Sequence, residues 1–567
     1  MDTELRELVL KYAAINASKY GKADFKSVMG KIISEKPELK AKAREIVPIV
    51  KEIVKEFEDL PEDEKKKLME KYGEEREERK EKEAILPPLP YAEKGKVVMR
   101  FAPNPNGPAT LGSARGMIVN GEYAKIYDGK LVLRFDDTDP RTKRPMLEAY
   151  EWYIEDLAWL GYRADEVVYA SKRISVYYEH VEKLIEMGHA YACLCKKDEF
   201  KRYRDSGIEC PHRNLPPEES LDIWEKMLGG EFEEGEAVIR IKTDMKHKDP
   251  AIRDWVAFRI IFESHPLVGD KYIVYPTLDF ESAIEDHLHG ITHIIRGKDL
   301  IDSERRQKYI YKYFGWEYPV TKHWGRIKIH EFGKLSTSSI KKEIEKGTFT
   351  GWDDPRVPTL RALRRRGFES EAIKKFFLSL GVGENDVSVS MKNLYAENRK
   401  LIDEKANRYF FVESPVLIEI SGVEGVEGKN NIKLPLNPVK GGFRTLKASN
   451  RVYISENDLK RFEEGNVIRL KEFCNIRLID KRNLKFKFAG WKIEGAKKGK
   501  NIIHWLPVED SMDCVVLAPE RDHSGKVERA VVNEVGKVVQ FERFAFCRIE
   551  GVARNESNEV RAVYTHP

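Results

Sequence analysis

Val97-Val98-Met99-Arg100-Phe101-Ala102-Pro103-Asn104-Pro105-Asn106-Gly107-Pro108-Ala109-Thr110-Leu111-Gly112-Ser113-Ala114-Arg115-Gly116 reads as a strand, a rigid turn and a helix start. Val97 to Phe101 is a short apolar run that suits a buried strand. Three prolines and Gly107 then force a turn. Ser113 opens a helix to about Tyr127, with Ala114, Met117, Ile118, Gly121 and Ala124 along one side. Asp128-Gly129 stops it, and Leu131 to Phe135 is a second strand. Strand, helix and strand in this order predict a βαβ unit with a parallel sheet. The turn then lies at the carboxyl end of the sheet, beside the positive end of a helix, where anions and nucleotides bind. A Pro/Gly loop with Ser113 as a helix N-cap is the plainer alternative. The turn lacks the G-x-x-x-x-G-K-[ST] pattern, which disfavours an ordinary P-loop nucleotidase.

Outward from this unit the chain changes character. Its 567 residues predict three to five domains, and 41% apolar content is enough for sizeable cores. Charged residues make up 34%, yet the net charge is only +5, so charge alone does not announce a nucleic-acid binder. Glutamine occurs only at Gln307 and Gln540, a bias that fits a hyperthermophile or a highly charged mesophile. Residues 1–84 carry helical periodicity (Leu5, Leu8, Val9, Tyr12; Ile46, Ile49, Val50, Ile53, Val54), and Glu62 to Glu83 is a mostly charged, exposed helix. Residues 85–95, with Pro87, Pro88 and Pro90, form a stiff linker. From about residue 410 many short strands (Val416 to Ile420, Asn431 to Leu434, Val467 to Leu470, Val515 to Leu517) suggest one or two β-barrels. No apolar run spans a bilayer and Met1 opens no signal peptide, so a cytosolic protein is expected, with its six cysteines unpaired. Cys193-Leu194-Cys195 and, after fourteen intervening residues, Cys210-Pro211-His212 can close a tetrahedron around Zn²⁺; a metal-free cysteine cluster is the alternative.

The opening stretch resembles the first signature of the glutamyl- and glutaminyl-tRNA synthetases, R-F-x-P-x-P-x-G-x-L-H-x-G-H. Leu133-Arg-Phe-Asp-Asp-Thr-Asp-Pro140 resembles a second motif of that family. Gly351-Trp-Asp-Asp-Pro-Arg-Val-Pro-Thr-Leu-Arg-Ala-Leu-Arg-Arg-Arg-Gly367 nearly matches its G-W-D-D-P-R-x-P-T-L-x-x-x-x-R-R-G. Asn398 to Phe410 is similar to the archaeal branch, and the likeness runs from residue 97 to about 410. Lys334-Leu335-Ser336-Thr337-Ser338 resembles the class I loop K-M-S-K-S; read alone, it is a Ser-rich turn capping a helix that starts near Ser339. Two departures stand out: Thr110 and Ser113 replace both signature histidines, and Thr337 replaces the second loop lysine.

The resemblance implies a class I Rossmann-like catalytic domain. Its halves would be 96–187 and 286–350, split by an acceptor-stem-binding insertion at 188–285 that carries the zinc site. A connecting helical region at 351–409 and anticodon-binding β-barrels at 410–567 would follow. It implies ATP-dependent ligation of L-glutamate to tRNA through glutamyl-adenylate, with Mg²⁺. ATP would meet Pro103, Gly107, Thr110, Gly112, Ser113, Lys334 and Leu335, with Thr110, Gly112, Ser113, Lys334, Ser336 and Ser338 serving catalysis. Glutamate would meet Arg100, Asn104, Asp136, Ser282 and Arg296. The Arg at 296 favours glutamate over glutamine, since a guanidinium holds a carboxylate in two bonds. A salt bridge from Arg296 to Asp299 or Glu285 is the structural alternative. Arg361 to Arg366 would meet phosphates or form a solvated face. Lys481, Arg482, Lys485, Lys487, Lys497 and Lys498, among Phe486, Phe488 and Trp491, would meet anticodon bases or pack in a barrel. A glutaminyl-tRNA synthetase and a non-catalytic tRNA-binding paralogue are the rival readings. A monomer is expected, and charging of tRNA for glutamine with glutamate would require an amidotransferase downstream.

Overall fold

The structure is a computed structural model that describes residues 3–20, 23–36, 39, 43–73, 86–332, 337–422, 431–491, 501–553 and 558–567. The chain forms two compact units, Met1–Ile85 and Leu86–Pro567. The first holds helices Thr3–Tyr20, Phe25–Glu35, Ala43–Asp59 and Glu62–Gly73 around Val9, Ala13, Ile32, Val50 and Phe57. Asp24 caps the second helix by accepting from Ser27 N, at 2.9 Å. The expected charged helix is present over Glu62–Gly73; the rest of it, to Glu83, lies outside the described residues.

In the second unit the parallel sheet is present. Val98–Phe101 pairs with Lys130–Phe135, and that strand pairs with Glu166–Tyr169, all parallel. Thr292 N donates to Val98 O at 3.1 Å, which carries the layer on to His293–Gly297, itself parallel to Val320–Trp324. The helix Leu111–Ile126 packs on this layer through Ala114, Met117 and Ile118. Gly121 allows the close approach: a Cβ there would come within 2.6 Å of the Tyr162 ring. The helix starts two residues earlier than expected. Thr110, in extended backbone, is the N-cap, and Ser113 N donates to its Oγ1 at 3.4 Å. The three prolines of the proline-bearing segment mislead about its stiffness as a free linker. Leu86 and Leu89 are buried in the core, and Tyr123 Oη donates to Pro87 O at 2.8 Å.

Residues between the halves of the layer form a four-stranded antiparallel sheet: Ala190–Cys193, Val238–Ile241, Val256–Ile260 and Val274–Pro276. Helix Leu278–Leu288 returns the chain to the parallel layer. Past residue 351, helices Leu360–Arg365, Ser370–Leu380 and Met391–Ile402 lead to two seven-stranded sheets. One is built around Phe411, Val527 and Ile549, the other around Ile418, Phe486 and Trp505. The expected strands are all present with small shifts, as Pro415–Ser421, Asn431–Pro435, Val467–Leu470 and Ser511–Leu517. No described helix is long and apolar enough to cross a membrane.

Candidate active site and metal centre

The turn after the first strand is held from both sides. Asp136 N donates to Pro103 O at 3.0 Å, and Met146 N to Pro105 O at 2.8 Å. Leu111 N donates to Pro358 O at 2.9 Å, and Leu360 N to Ala109 O at 2.8 Å, around a bridge between Thr110 and Thr359. The segment Gly351 to Gly367 is therefore the wall behind the turn. Asp354 fixes it by taking Arg356 Nη2 at 2.6 Å, and the pair holds the Asp354 carboxyl down at about 2 against its burial. Thr359 Oγ1 donates to Trp352 O at 2.6 Å and accepts from Ala362 N, capping the next helix.

Thr110 Oγ1 and Ser113 Oγ lie 3.3 Å apart, both half-buried, with Gly112 exposed between them. Pro103 and Gly107 are buried. A Cβ on Gly107 would clash with Thr337 Cγ2 and lie 3.1 Å from Trp352, so only glycine lets the two signatures touch. Thr337 begins the helix Thr337–Glu345, two residues before the expected start, and Ser338 is exposed on it. Gly333, Lys334, Leu335 and Ser336 lie outside the described residues.

Beside the turn lies a buried cluster of charge. Asp286 Oδ1 accepts from Arg134 Nη1 at 2.6 Å and from Arg100 Nε at 3.3 Å. Arg134 Nε donates to Asp136 Oδ1 at 2.6 Å. Asn104 Nδ2 donates to Asp136 O at 2.8 Å and leaves its buried Oδ1 without a protein partner. Burial pushes the Asp136 carboxyl up against the pull of Arg134, whereas at Asp286 the pull of Arg100, Arg134 and Arg296 overcomes burial and leaves it below the ordinary range. Glu281 is fully buried, with neither carboxyl oxygen hydrogen-bonded among the described residues; burial and the nearby Asp136 push its carboxyl well above the ordinary range.

Arg296 pairs with neither of the acids expected in the alternative. Glu285 is held by Arg173 at 2.7 Å and by His289 at 2.9 Å. Arg296 instead donates to neutral groups: Nη1 and Nη2 to Gln307 Oε1, at 3.3 Å each, and Nη2 to Tyr318 Oη at 3.2 Å. Its Nε has no protein partner. Ser282, expected to face a ligand, donates to Leu278 O at 2.7 Å and accepts from Gln307 Nε2 at 2.5 Å. Arg100 and Arg134 thus take up the two aspartates, while Arg296 is held by neutral groups. Arg134, Asp286, Gln307 and Tyr318 escape sequence reasoning. Arg134 lay inside a quoted motif, and Gln307 carried a signal as one of two glutamines in the chain.

The Cys193, Cys195, Cys210 and His212 donor atoms all lie within 4.8 Å of one another. Cys195 Sγ is 3.3 Å from His212 Nδ1, and the Cys193 and Cys210 sulfurs are 4.0 Å apart. Strand Ala190–Cys193 and the short turn Pro211–Asn214 present the four groups. Tyr191 Oη donates to Asp254 Oδ2 at 3.0 Å and touches Cys210 Sγ at 3.5 Å, a brace the sequence did not announce. Next to the cluster opens a cleft of about 910 Å³ lined by Arg141, Lys197, Lys201, Arg204, Phe200 and Trp255.

The basic run is partly engaged within the protein, with Arg364 exposed. Arg361 meets Glu155 at 3.3 Å and Arg365 meets Glu550 at 2.6 Å. Arg364 lies over Trp159, and buried Arg366 donates to Thr565 O at 2.8 Å. In the β region Phe486 is core, Phe488 and Trp491 are half-buried, and Arg482, Lys485 and Lys487 are exposed; Lys497 and Lys498 lie outside the described residues.

A parallel layer with a proline-glycine turn at its carboxyl end, a second signature seated against that turn and an inserted antiparallel sheet define a class I aminoacyl-tRNA synthetase core. Residues 96–404 match the family model "tRNA synthetases class I (E and Q), catalytic domain". Residues 406–488 and 502–550 match its two anti-codon binding domains. The chain is 65% identical to a glutamate–tRNA ligase of Archaeoglobus fulgidus over 99% of its own length and all of that protein. It is 56% identical to one of Methanosarcina acetivorans, over 98% of each chain, and 50% identical to one of Pyrococcus furiosus, over 99% of this chain and all of that one. The chain belongs to the class I tRNA synthetases for glutamate and glutamine, ligases that consume ATP.

Proposed function

We propose that this chain joins L-glutamate to tRNA. A glutamate carboxylate oxygen attacks the ATP α-phosphate and the bond to the leaving pyrophosphate breaks. A ribose hydroxyl at the tRNA end then attacks the adenylate carbonyl and AMP leaves. Mg²⁺ bound with the triphosphate would offset its negative charge. No protein nucleophile enters; the chain positions the reactants and stabilises charge. The observation that favours glutamate over glutamine is Arg296, buried and facing only neutral acceptors. Arg100, Asn104 and Asp136 complete the amino-acid site, with the Asp136 carboxylate and the free Asn104 Oδ1 facing the ammonium. Ser282 contributes by orienting Gln307. Thr110, Gly112 and Ser113 line the phosphate path with neutral donors and Pro103 and Gly107 shape the nucleotide site; the class I resemblance would add Leu335 to ATP binding and Lys334, Ser336 and Ser338 to catalysis. Purified protein given glutamate, ATP and tRNA should exchange pyrophosphate into ATP and charge tRNA with glutamate but not glutamine. Exchange at background overturns the enzyme reading, and charging of glutamine overturns the amino-acid assignment. Running both purified tRNAs, for glutamate and for glutamine, decides whether the product pool calls for an amidotransferase.

The insertion from 188 to 285 is the unit that meets the tRNA acceptor end, through its basic cleft, and the β region from 410 onward meets the anticodon. Cys193, Cys195, Cys210 and His212 fit a structural Zn²⁺: three thiolates and one imidazole converge and would fill a tetrahedral ion's four positions, leaving none open for a substrate. Metal analysis of protein purified without chelator should find about one zinc per chain. A strong chelator should lower the melting temperature and abolish tRNA charging. Zinc well below stoichiometric in active protein would refute the site.

A further inference from the structure

Gln307 stands on helix Ile301–Phe314 and is completely buried. Its amide is held at every corner. Oε1 accepts from both terminal nitrogens of Arg296, at 3.3 Å each, and from Tyr318 Oη at 2.7 Å. Nε2 donates to Ser282 Oγ at 2.5 Å, and Ser282 Oγ donates in turn to Leu278 O at 2.7 Å. The Ser282 hydroxyl, committed as a donor to the backbone, can only accept from position 307. That fixes which end of the amide faces Arg296: the oxygen.

The chemical choice at 307 is informative. The chain holds 95 acidic residues and two glutamines. A carboxylate of the same shape would bind Arg296 more strongly, because a charge-assisted bond is about twice as strong as a neutral one. It would also neutralise Arg296. The ion pairs of the cluster join Arg100 and Arg134 to Asp136 and Asp286. Among the described residues Arg296 is hydrogen-bonded only to the neutral Gln307 and Tyr318, and its Nε has no protein partner.

We infer that Gln307 is the specificity-determining positioning residue of the amino-acid site: it holds the Arg296 guanidinium in place through a neutral acceptor, so that the charge of Arg296 stays available to the side-chain carboxylate of the substrate. This deepens the reading of the site as a glutamate site and rests on it. Gln307 acts through Arg296 and Ser282, and it makes glutamate binding depend on an amide that itself carries no charge.

The test uses the full chain, with pyrophosphate exchange measured in the presence of tRNA. Gln307→Glu keeps the shape and supplies the missing anion from within. Its KM for glutamate should rise about 100-fold, while KM for ATP and for tRNA stays within about threefold. Its melting temperature is measured alongside, because the new carboxylate gains an ion pair with Arg296 but loses the donor to Ser282 Oγ. A variant that is as stable as the parent yet loses glutamate is a result that a purely structural role cannot produce. Gln307→Met removes the acceptor without adding charge; it should raise KM for glutamate about tenfold and lower the preference for glutamate over glutamine. A Gln307→Glu protein with KM for glutamate within about threefold of the parent overturns the inference. So does a parallel rise in all three KM values. If Gln307→Glu fails to fold, Gln307→Met decides, and an unchanged preference for glutamate overturns the inference. Absence of exchange by the parent with glutamate overturns the glutamate reading itself; an active parent with an unaffected Gln307→Glu overturns only the role of Gln307.

Discussion

Replacing Arg296 by cysteine should cut kcat/KM for glutamate about 1,000-fold and raise that for glutamine. The parent side chain offers a buried guanidinium whose hydrogen-bond partners among the described residues are the neutral Gln307 and Tyr318, so a substrate carboxylate meets a charge with no direct ion pair, at low solvent exposure. Cysteine removes that charge and opens room for an amide. It also leaves Gln307 Oε1 still bonded to Tyr318 Oη, at 2.7 Å, which limits structural damage. The loss should therefore fall on glutamate and leave KM for ATP nearly unchanged. Parallel steady-state charging with the two amino acids checks it. A variant that keeps glutamate activity within tenfold of the parent would remove Arg296 from the site.

The second large effect is on stability. Asp286→Ala takes away the carboxylate that bridges Arg100 and Arg134 inside the protein. Three guanidinium groups would then face only Asp136, and breaking a buried pair in this way costs about 3–5 kcal/mol. The midpoint of urea unfolding, followed by tryptophan fluorescence, should fall accordingly, and glutamate activation should be lost because Arg100 is no longer anchored. The pH dependence follows from the direction of the shift. Burial alone would raise the Asp286 carboxyl, but the three arginines bring it below the usual value. Its contribution is therefore present above the unfolded-state value and is lost as pH falls through the lower folded-state value. Asp286→Ala should flatten that acid limb. An unchanged midpoint would mean that the arginines find other counter-charges.

The parallel sheet, the nucleotide turn and the cysteine cluster were legible because each depends on local order: alternation of strand and helix, prolines beside glycine, thiols at fixed spacing. The charged pocket was only half legible. Arg100, Asp136 and Arg296 come from strand ends that a motif marks, whereas Asp286 and Gln307 come from two helices more than 140 residues downstream of the first strand, brought in by tertiary packing. Arg361 to Arg366 was legible only in part for the same reason. Arg364 is exposed, but the partners of Arg361, Arg365 and Arg366, which are Glu155, Glu550 and Thr565, are remote in sequence. The segment before the first strand reads as a stiff linker from Pro87, Pro88 and Pro90, yet Leu86 and Leu89 are both core. Thr110 and Ser113 show the limit of a signature: the histidines are absent, but the backbone that carries them is in place, and the cap at Thr110 depends on the hydroxyl that remains.

Arg366 reaches from the end of helix Leu360–Arg365 to the backbone of Tyr564 and Thr565. Those partners are 198 and 199 positions away in the chain. During synthesis the helix behind the proline-glycine turn is made early, but its far anchor cannot form until residue 565 has left the ribosome. At about 5–20 residues per second the wait is about ten seconds or more. In that interval Arg366 lacks the two carbonyls that hold it, so the final docking of this helix waits on the β region.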